Sequence, residues 1–241
     1  MIRSLSVVIP AYNEESRLPA TLEKVAAFLS SYGLAFWEIL VVDDGSRDRT
    51  AEVARDFAKR YACTRVLNNP GNRGKGYSVR NGMLAARGQW RLFTDADLSA
   101  PIEDLPLLDA ALETPADIAI GSRALDRGLI AVHQPFFRET AGKLFNVAMR
   151  SAIGLPLEDT QCGFKLFSAA ATTASFGRQQ LDGFGFDAEV LFIAKLHGFR
   201  IAEVPVRWSH VEGTKVSMWN GAQSFLDLLT IRRNQLSGKY K

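Results

Sequence analysis

The chain has 241 residues, enough for one sizeable α/β core. An apolar fraction of 47% and a charged fraction of 23% are ordinary for a folded protein and argue against disorder as the main state. A formal net charge of +3 is too small to point to nucleic acid, and Cys63 and Cys162, far apart and with no Cys-x-x-Cys pair, argue against a structural zinc site.

Residues 5–10 (Leu-Ser-Val-Val-Ile-Pro) read as a buried strand. A helix is expected from about Pro19, with Leu18, Leu22, Val25, Phe28 and Leu29 on one face and the proline in a first turn, where its missing N–H costs nothing. Residues 36–42 form a second strand, Asp43–Ser46 a turn, and about 50–61 a helix. A short strand at 64–67, a Gly/Asn loop and a helix at about 76–86 follow. A strand at 90–94 then ends at Asp95. A helix at about 102–112 leads to a strand at 117–121. This alternation predicts a parallel sheet with helices on both faces, with ligands beyond the carboxyl ends of the strands. The polar clusters at 11–15, 43–48 and 95–97 all fall at those ends.

After residue 122 the pattern changes. Residues 141–152 place Ala141, Leu144, Phe145, Ala148, Met149 and Ala152 on one helical face, with Lys143 and Arg150 opposite. Residues 184–198 read as a helix, 200–207 as a strand, and about 219–234 as a last helix with Ala222, Phe225, Leu226 and Leu229 on one face. The apolar stripes of 141–152 and 219–234 face either the core or a membrane interface. No stretch approaches the roughly 18–20 apolar residues that span a bilayer, and the first apolar run is too short for a signal peptide, so any membrane contact is expected to be peripheral. The last ten residues carry Arg232, Arg233, Lys239 and Lys241 and no acid. That end suits an anionic surface or is a solvated terminus.

The sharpest chemical signal is Asp95-Ala96-Asp97 at the end of an apolar strand. Two carboxylates there need a cation or donors, and a hard divalent ion bridging them to a diphosphate meets that need. Asp43, Asp44 and the run Pro10-Ala11-Tyr12-Asn13-Glu14-Glu15 end neighbouring strands. Asn72-Arg73-Gly74-Lys75-Gly76 precedes a helix but is neither a Walker loop nor a dinucleotide fingerprint. Lys75 therefore either reaches a phosphate or sits on a plain solvated loop. His133, His197 and His210 are not spaced as metal ligands, Phe184, Phe186 and Phe192 read as packing, and Asp187 and Glu189 read as acids at a helix N-terminus.

PAYNEE, VVDDGSRDRT, the GNRGKG loop, TDADLSAP, GSR at 121–123 and DTQCGFKLF at 159–167 occur here in that order. Over about residues 4–220 the chain resembles family 2 inverting glycosyltransferases, most closely the dolichyl-phosphate β-glucosyltransferase branch, with dolichyl-phosphate mannose synthases as relatives. The resemblance implies a GT-A fold: a Rossmann-like, mostly parallel sheet flanked by helices, with acceptor-side helices towards the C-terminus. It implies one domain over 1–241, with about 1–121 holding the nucleotide sugar and about 122–241 the acceptor. Pro10, Tyr12, Glu14 and Asp43 match its nucleoside-binding positions, and Ala11, Asp44 and Lys75 lie with them on the donor side. Asp95, Ala96 and Asp97 match the metal and diphosphate motif, with Asp95 and Asp97 as ligands of Mg²⁺ or Mn²⁺. Arg123 matches a donor-side arginine, and Arg207 and Lys215 match phosphate-gripping positions, His210 being the alternative to Arg207. Asp159 and Gln161 match the acceptor motif. Unlike the eukaryotic members, the sequence shows no N-terminal membrane anchor.

The implied reaction moves a sugar, by preference glucose from UDP-glucose, onto a polyprenyl phosphate (dolichyl or undecaprenyl) with inversion. It would occur at the cytoplasmic face of a membrane and without nucleic acid. A phosphate monoester has a second pKa near 6, so such an acceptor needs little help from a base. Asp97, Asp159 and Arg123 are the expected catalytic group, Asp159 acting as base, organiser or metal ligand, and residues 209–218 form either a lid or an ordinary connection. The competing readings are another donor such as GDP-mannose, a soluble saccharide acceptor, and a non-catalytic nucleotide-sugar-binding module.

Overall fold

The computed structural model describes residues 1–132, 149, 153–210 and 218–241, with side chains from 226 onwards in the last segment. The expected helix at 141–152 therefore lies almost wholly outside the described residues, as do Lys215 and most of the 209–218 segment.

The first half is built as the alternation dictates. It runs β1 (Ser4–Ala11), α1 (Leu18–Ser31), β2 (Phe36–Asp43), α2 (Thr50–Arg60), β3 (Thr64–Asn68), α3 (Lys75–Ala85), β4 (Trp90–Thr94), α4 (Leu105–Ala111) and β5 (Ile118–Ser122). A short 3₁₀ turn, Ile102–Asp104, takes the start of the expected 102–112 helix. There follow β6 (Ile130–Val132), β7 (Phe164–Ser168), α5 (Ala169–Phe176), α6 (Phe186–Leu196), β8 (Ile201–Pro205), β9 (Trp208–Ser209) and α7 (Met218–Leu236).

Seven strands make one sheet in the order β3-β2-β1-β4-β7-β5-β8, and β6 and β9 pair in a second, two-stranded sheet. All pairings in the large sheet are parallel except the two made by β7, which runs antiparallel between β4 and β5. No strand was expected at 164–168: Lys165 interrupts its apolar run, and its first four residues are all buried, leaving no alternation to read.

Period-two alternation sends Val7 and Ile9 to one face of the sheet, where α1, α2 and α4 pack, and Val8 to the other, where α3, α5, α6 and α7 pack. Strand order reverses between β1 and β4, so the carboxyl ends of these two strands open a crevice.

α3 lies close on the sheet because Gly82 has no side chain. A Cβ there would overlap Val8 and come within 2.8 Å of Cγ2 of Val42. Alanine gains about 1 kcal/mol of helix propensity over glycine, whereas overpacking costs roughly 1–3 kcal/mol. Packing should win: Gly82→Ala is expected to lower the free energy of unfolding by about 1 kcal/mol, read from the urea midpoint.

Candidate active site

The crevice is a cleft of about 340 Å³ lined by Pro10, Ala11, Tyr12 and Glu14 after β1, by Asp95, Ala96 and Asp97 after β4, and by Asp44, Asn72, Gly74 and Lys75 around the start of α3. Arg17, Ser78 and Phe184 complete it. Of these, sequence reasoning passed over Arg17 and Ser78 and read Phe184 as packing.

The β1 end is fixed by backbone demands. Asn13 takes a left-handed conformation (φ 53), and its side chain accepts from the Arg47 amide at 2.8 Å. The Asn13 and Glu14 amides donate to Ser46 Oγ (2.9 Å) and Thr50 Oγ1 (2.7 Å), tying the loop after β1 to the one after β2. The Glu14 carboxylate pairs with Arg17 at 2.8 Å.

Asp43 and Asp44 divide their work. Asp43 is buried, accepts from the Ser46 amide at 3.2 Å and is not among the residues lining the cleft. Asp44 accepts from Asn69 Nδ2 (2.8 Å) and from the amides of Arg73 and Gly74 (2.9 Å each), so it organises the glycine loop. Gly45 and Gly74 hold left-handed backbone angles, and a Cβ on either would meet backbone at 2.5 Å. The loop is thus a built part of the site rather than a plain solvated connection.

Lys75 opens α3 and puts Nζ 2.7 Å from Oδ1 of Asp95. Burial disfavours its charge, yet Asp95, Asp187 and Asp97 hold its pKa above the ordinary lysine value. Asp97 Oδ1 accepts from the Ser99 amide at 3.0 Å, and Leu98 between them is left-handed (φ 47). The Ala96 carbonyl accepts from Thr21 at 2.6 Å. On the far side of Asp95 stands Gly163, whose missing side chain makes room for the carboxylate: a Cβ there would overlap Oδ2. Gly163 was not singled out from the sequence.

The remaining expected site residues that the structure describes are not among those lining the cleft. Arg123 donates to both oxygens of Asp159, through Nε at 2.6 Å and Nη2 at 2.8 Å. The Arg123 and Gln161 amides also donate to that carboxylate, at 3.1 and 3.0 Å. Burial would raise the pKa of Asp159, but the guanidinium outweighs it and holds the group at about 2. Asp159 is therefore unsuited to act as a base at neutral pH. Gln161 contributes its backbone amide to this arrangement. Arg207 is not brought to the cleft: its guanidinium and amide are held by buried Asp104 at 2.6–2.8 Å. The ring of His210 stacks on Trp208 and its amide donates to the Val132 carbonyl.

Asp187 and Glu189, expected as acids of a helix N-terminus, do more. Asp187 takes the Nζ of buried Lys165 at 2.5 Å. Glu189 accepts from the Gln180 and Leu181 amides and from the Tyr240 hydroxyl, at 2.5 Å in the last case. The basic C-terminal end is thereby docked rather than frayed. On α7, Leu226 and Leu229 are exposed while Leu228 and Ile231 face the core.

The Arg123–Asp159 pair makes a pH prediction. The folded pKa of Asp159, about 2, lies below its ordinary 3.8, so the stability it contributes is present above about pH 4 and lost as the pH falls towards 2. Asp159→Asn should flatten that part of the acid limb in urea unfolding. At pH 7 it should lower stability by about 3 kcal/mol, because it leaves the guanidinium unpaired.

Residues 6–172 match the Glycosyl transferase family 2 profile. The chain is 37% identical to a dolichyl-phosphate β-glucosyltransferase of Trichomonas vaginalis over 94% of its length and 72% of that protein. It is 36% identical to the human dolichyl-phosphate β-glucosyltransferase (99% and 78% covered) and 35% identical to that of Saccharomyces cerevisiae (98% and 76%). Among solved structures it superposes on glucosyl-3-phosphoglycerate synthase of Mycobacterium tuberculosis in complex with Mn²⁺, UDP and glucosyl-3-phosphoglycerate. The TM-score is 0.71 at 20% identity, with 95% of this chain and 80% of that one covered. The same synthase with Mn²⁺, UDP-glucose and phosphoglyceric acid gives 0.71 at 21% identity, with 95% and 79% covered. At those identities the superposition speaks for the GT-A fold. A cleft at the β1/β4 crossover, an Asp-x-Asp turn at its floor and a relationship running through nearly the whole chain lead to one assignment: this protein is an enzyme of glycosyl transferase family 2.

Proposed function

We propose that the enzyme transfers glucose from UDP-glucose to a polyprenyl phosphate with inversion at the anomeric carbon. The observation that carries this is the opening of Asp95 and Asp97 into the cleft beside Tyr12, Glu14 and Lys75. The curated relatives named above are dolichyl-phosphate β-glucosyltransferases, and the M. tuberculosis synthase was crystallised with UDP-glucose and Mn²⁺.

The donor set fits Mg²⁺ or Mn²⁺. Asp95, 31% exposed, and Asp97 offer hard oxygens to the cleft. Mg²⁺ held by one or two carboxylates takes its remaining ligands from phosphate oxygens and water. The ion would offset charge on the departing diphosphate. Lys75 adds a fixed positive charge at the same spot, and Tyr12 and Glu14 offer a face and a carboxylate to the nucleoside.

The occupied state of Asp159 favours a phosphate acceptor over a sugar hydroxyl. A phosphate is already anionic near neutral pH and attacks without a base, whereas a hydroxyl needs one. Asp159 instead braces Arg123 and the backbone leading to Gly163. The lipid acceptor implies a membrane surface. No described helix is long and apolar enough to cross one. Exposed Leu226, Leu229 and Leu236 on α7, with Arg232 and Arg233 beside them, suit peripheral attachment to an anionic leaflet, cytoplasmic by this reading.

Incubation with labelled UDP-glucose, Mg²⁺ and polyprenyl phosphate should move label into the organic phase, and excess chelator should stop it. Asp95→Asn and Asp97→Asn should each lower turnover by at least about 10²-fold. Nucleotide-sugar binding without turnover, or faster transfer from GDP-mannose, would overturn the assignment. Gly163→Ala should displace the Asp95 carboxylate and lower kcat/KM by roughly 10²-fold at little cost in melting temperature.

A further inference from the structure

We infer that Lys165, through its ion pair with Asp187 and its grip on the Cys162 carbonyl, is a positioning residue for the Asp95–Asp97 turn, holding the Gly163 wall of the slot that receives the Asp95 carboxylate. Lys165 is the second residue of β7, with Phe93 and Ile120 as its neighbours in register, and is 0% exposed. Its Nζ donates to Oδ1 of Asp187 and to the Cys162 carbonyl, both at 2.5 Å, and lies 4.9 Å from the centre of the Phe93 ring.

An ion pair this deep is poor evidence of stabilisation, since desolvating two charges offsets their attraction and apolar replacements are often as stable. What the pair touches gives it another use. The carbonyl that Lys165 grips belongs to the residue immediately before Gly163, so the ammonium fixes the backbone against which Asp95 Oδ2 packs. The negative charge of Asp187 also favours the charged form of Lys75, which holds Asp95 Oδ1. One buried lysine thus fixes the backbone beside one carboxylate oxygen, Oδ2, while Lys75 pairs with the other. Cys162 itself adds no chemistry here, because burial pushes its thiol up to about 12.

The inference rests on the metal-dependent reading above, and the experiment separates the two. Lys165→Met paired with Asp187→Asn removes both charges with little change in volume. Mn²⁺ affinity in the presence of UDP is measured by electron paramagnetic resonance, alongside the melting temperature and donor kinetics. The paired variant is expected to fold and melt close to the wild type, to bind Mn²⁺ at least about 10-fold more weakly, and to show a raised donor KM. A folded variant with wild-type Mn²⁺ affinity would overturn the inference, and so would failure to fold, which would make the pair a folding element. A wild-type protein that binds no Mn²⁺ with UDP would remove the metal-dependent reading itself, and this inference with it.

Discussion

The register between β4 and β7 is the constraint on which the cleft depends. Thr94 stands opposite Phe164, so the next residue on each strand, Asp95 and Gly163, meet at the carboxyl edge of the sheet. Parallel neighbours on both sides of β4 would each lead away through a crossover. An antiparallel neighbour instead delivers the loop before it straight onto the Asp-x-Asp turn. The DTQCGF segment thus brings Gly163 against the Asp95 carboxylate.

Charge is arranged around that meeting point in three pairs of differing exposure: Lys165 with Asp187, Arg123 with Asp159, and Lys75 with Asp95. The first two are shielded from water to different degrees and hold backbone in place. The third is open to the cleft, where a partly solvated carboxylate can still change partners. Electrostatic forces grow as water is excluded, so the inner pairs hold geometry while the outer one remains responsive. Asp44 plays the same organising part for the glycine loop, with three hydrogen bonds directed to one short segment.

The first half of the fold was legible because its strands are short apolar runs punctuated by polar clusters, and those clusters are where the cleft lies. Asp95, Asp97, Tyr12 and Glu14 could be placed together for that reason. The second half was harder to read. Lys165 broke the apolar run of a buried strand, so no strand was expected there, and with β7 went the role of Gly163. Arg207 illustrates the limit of a motif match: the resemblance placed it or His210 at a phosphate, and the structure pairs it with Asp104, distant in sequence. Ion-pair partners of this kind come together only through tertiary structure, and local pattern carries no signal for them. Asp187 and Glu189 do stand in the first turn of their helix, as expected, but their pairing with Lys165 and Tyr240, 22 and 51 residues away, had no local signal.

The hydroxyl of Tyr240 meets buried Glu189, and the same carboxylate secures the amides of residues 180 and 181, a few positions before Phe184 at the cleft rim. Burial raises the pKa of Glu189, so the carboxylate is costly to maintain and depends on each of its donors. The tail and the rim therefore share one anchor. Across related sequences, positions 189 and 240 are expected to vary as a couple, an apolar residue at one accompanying loss of the phenol at the other.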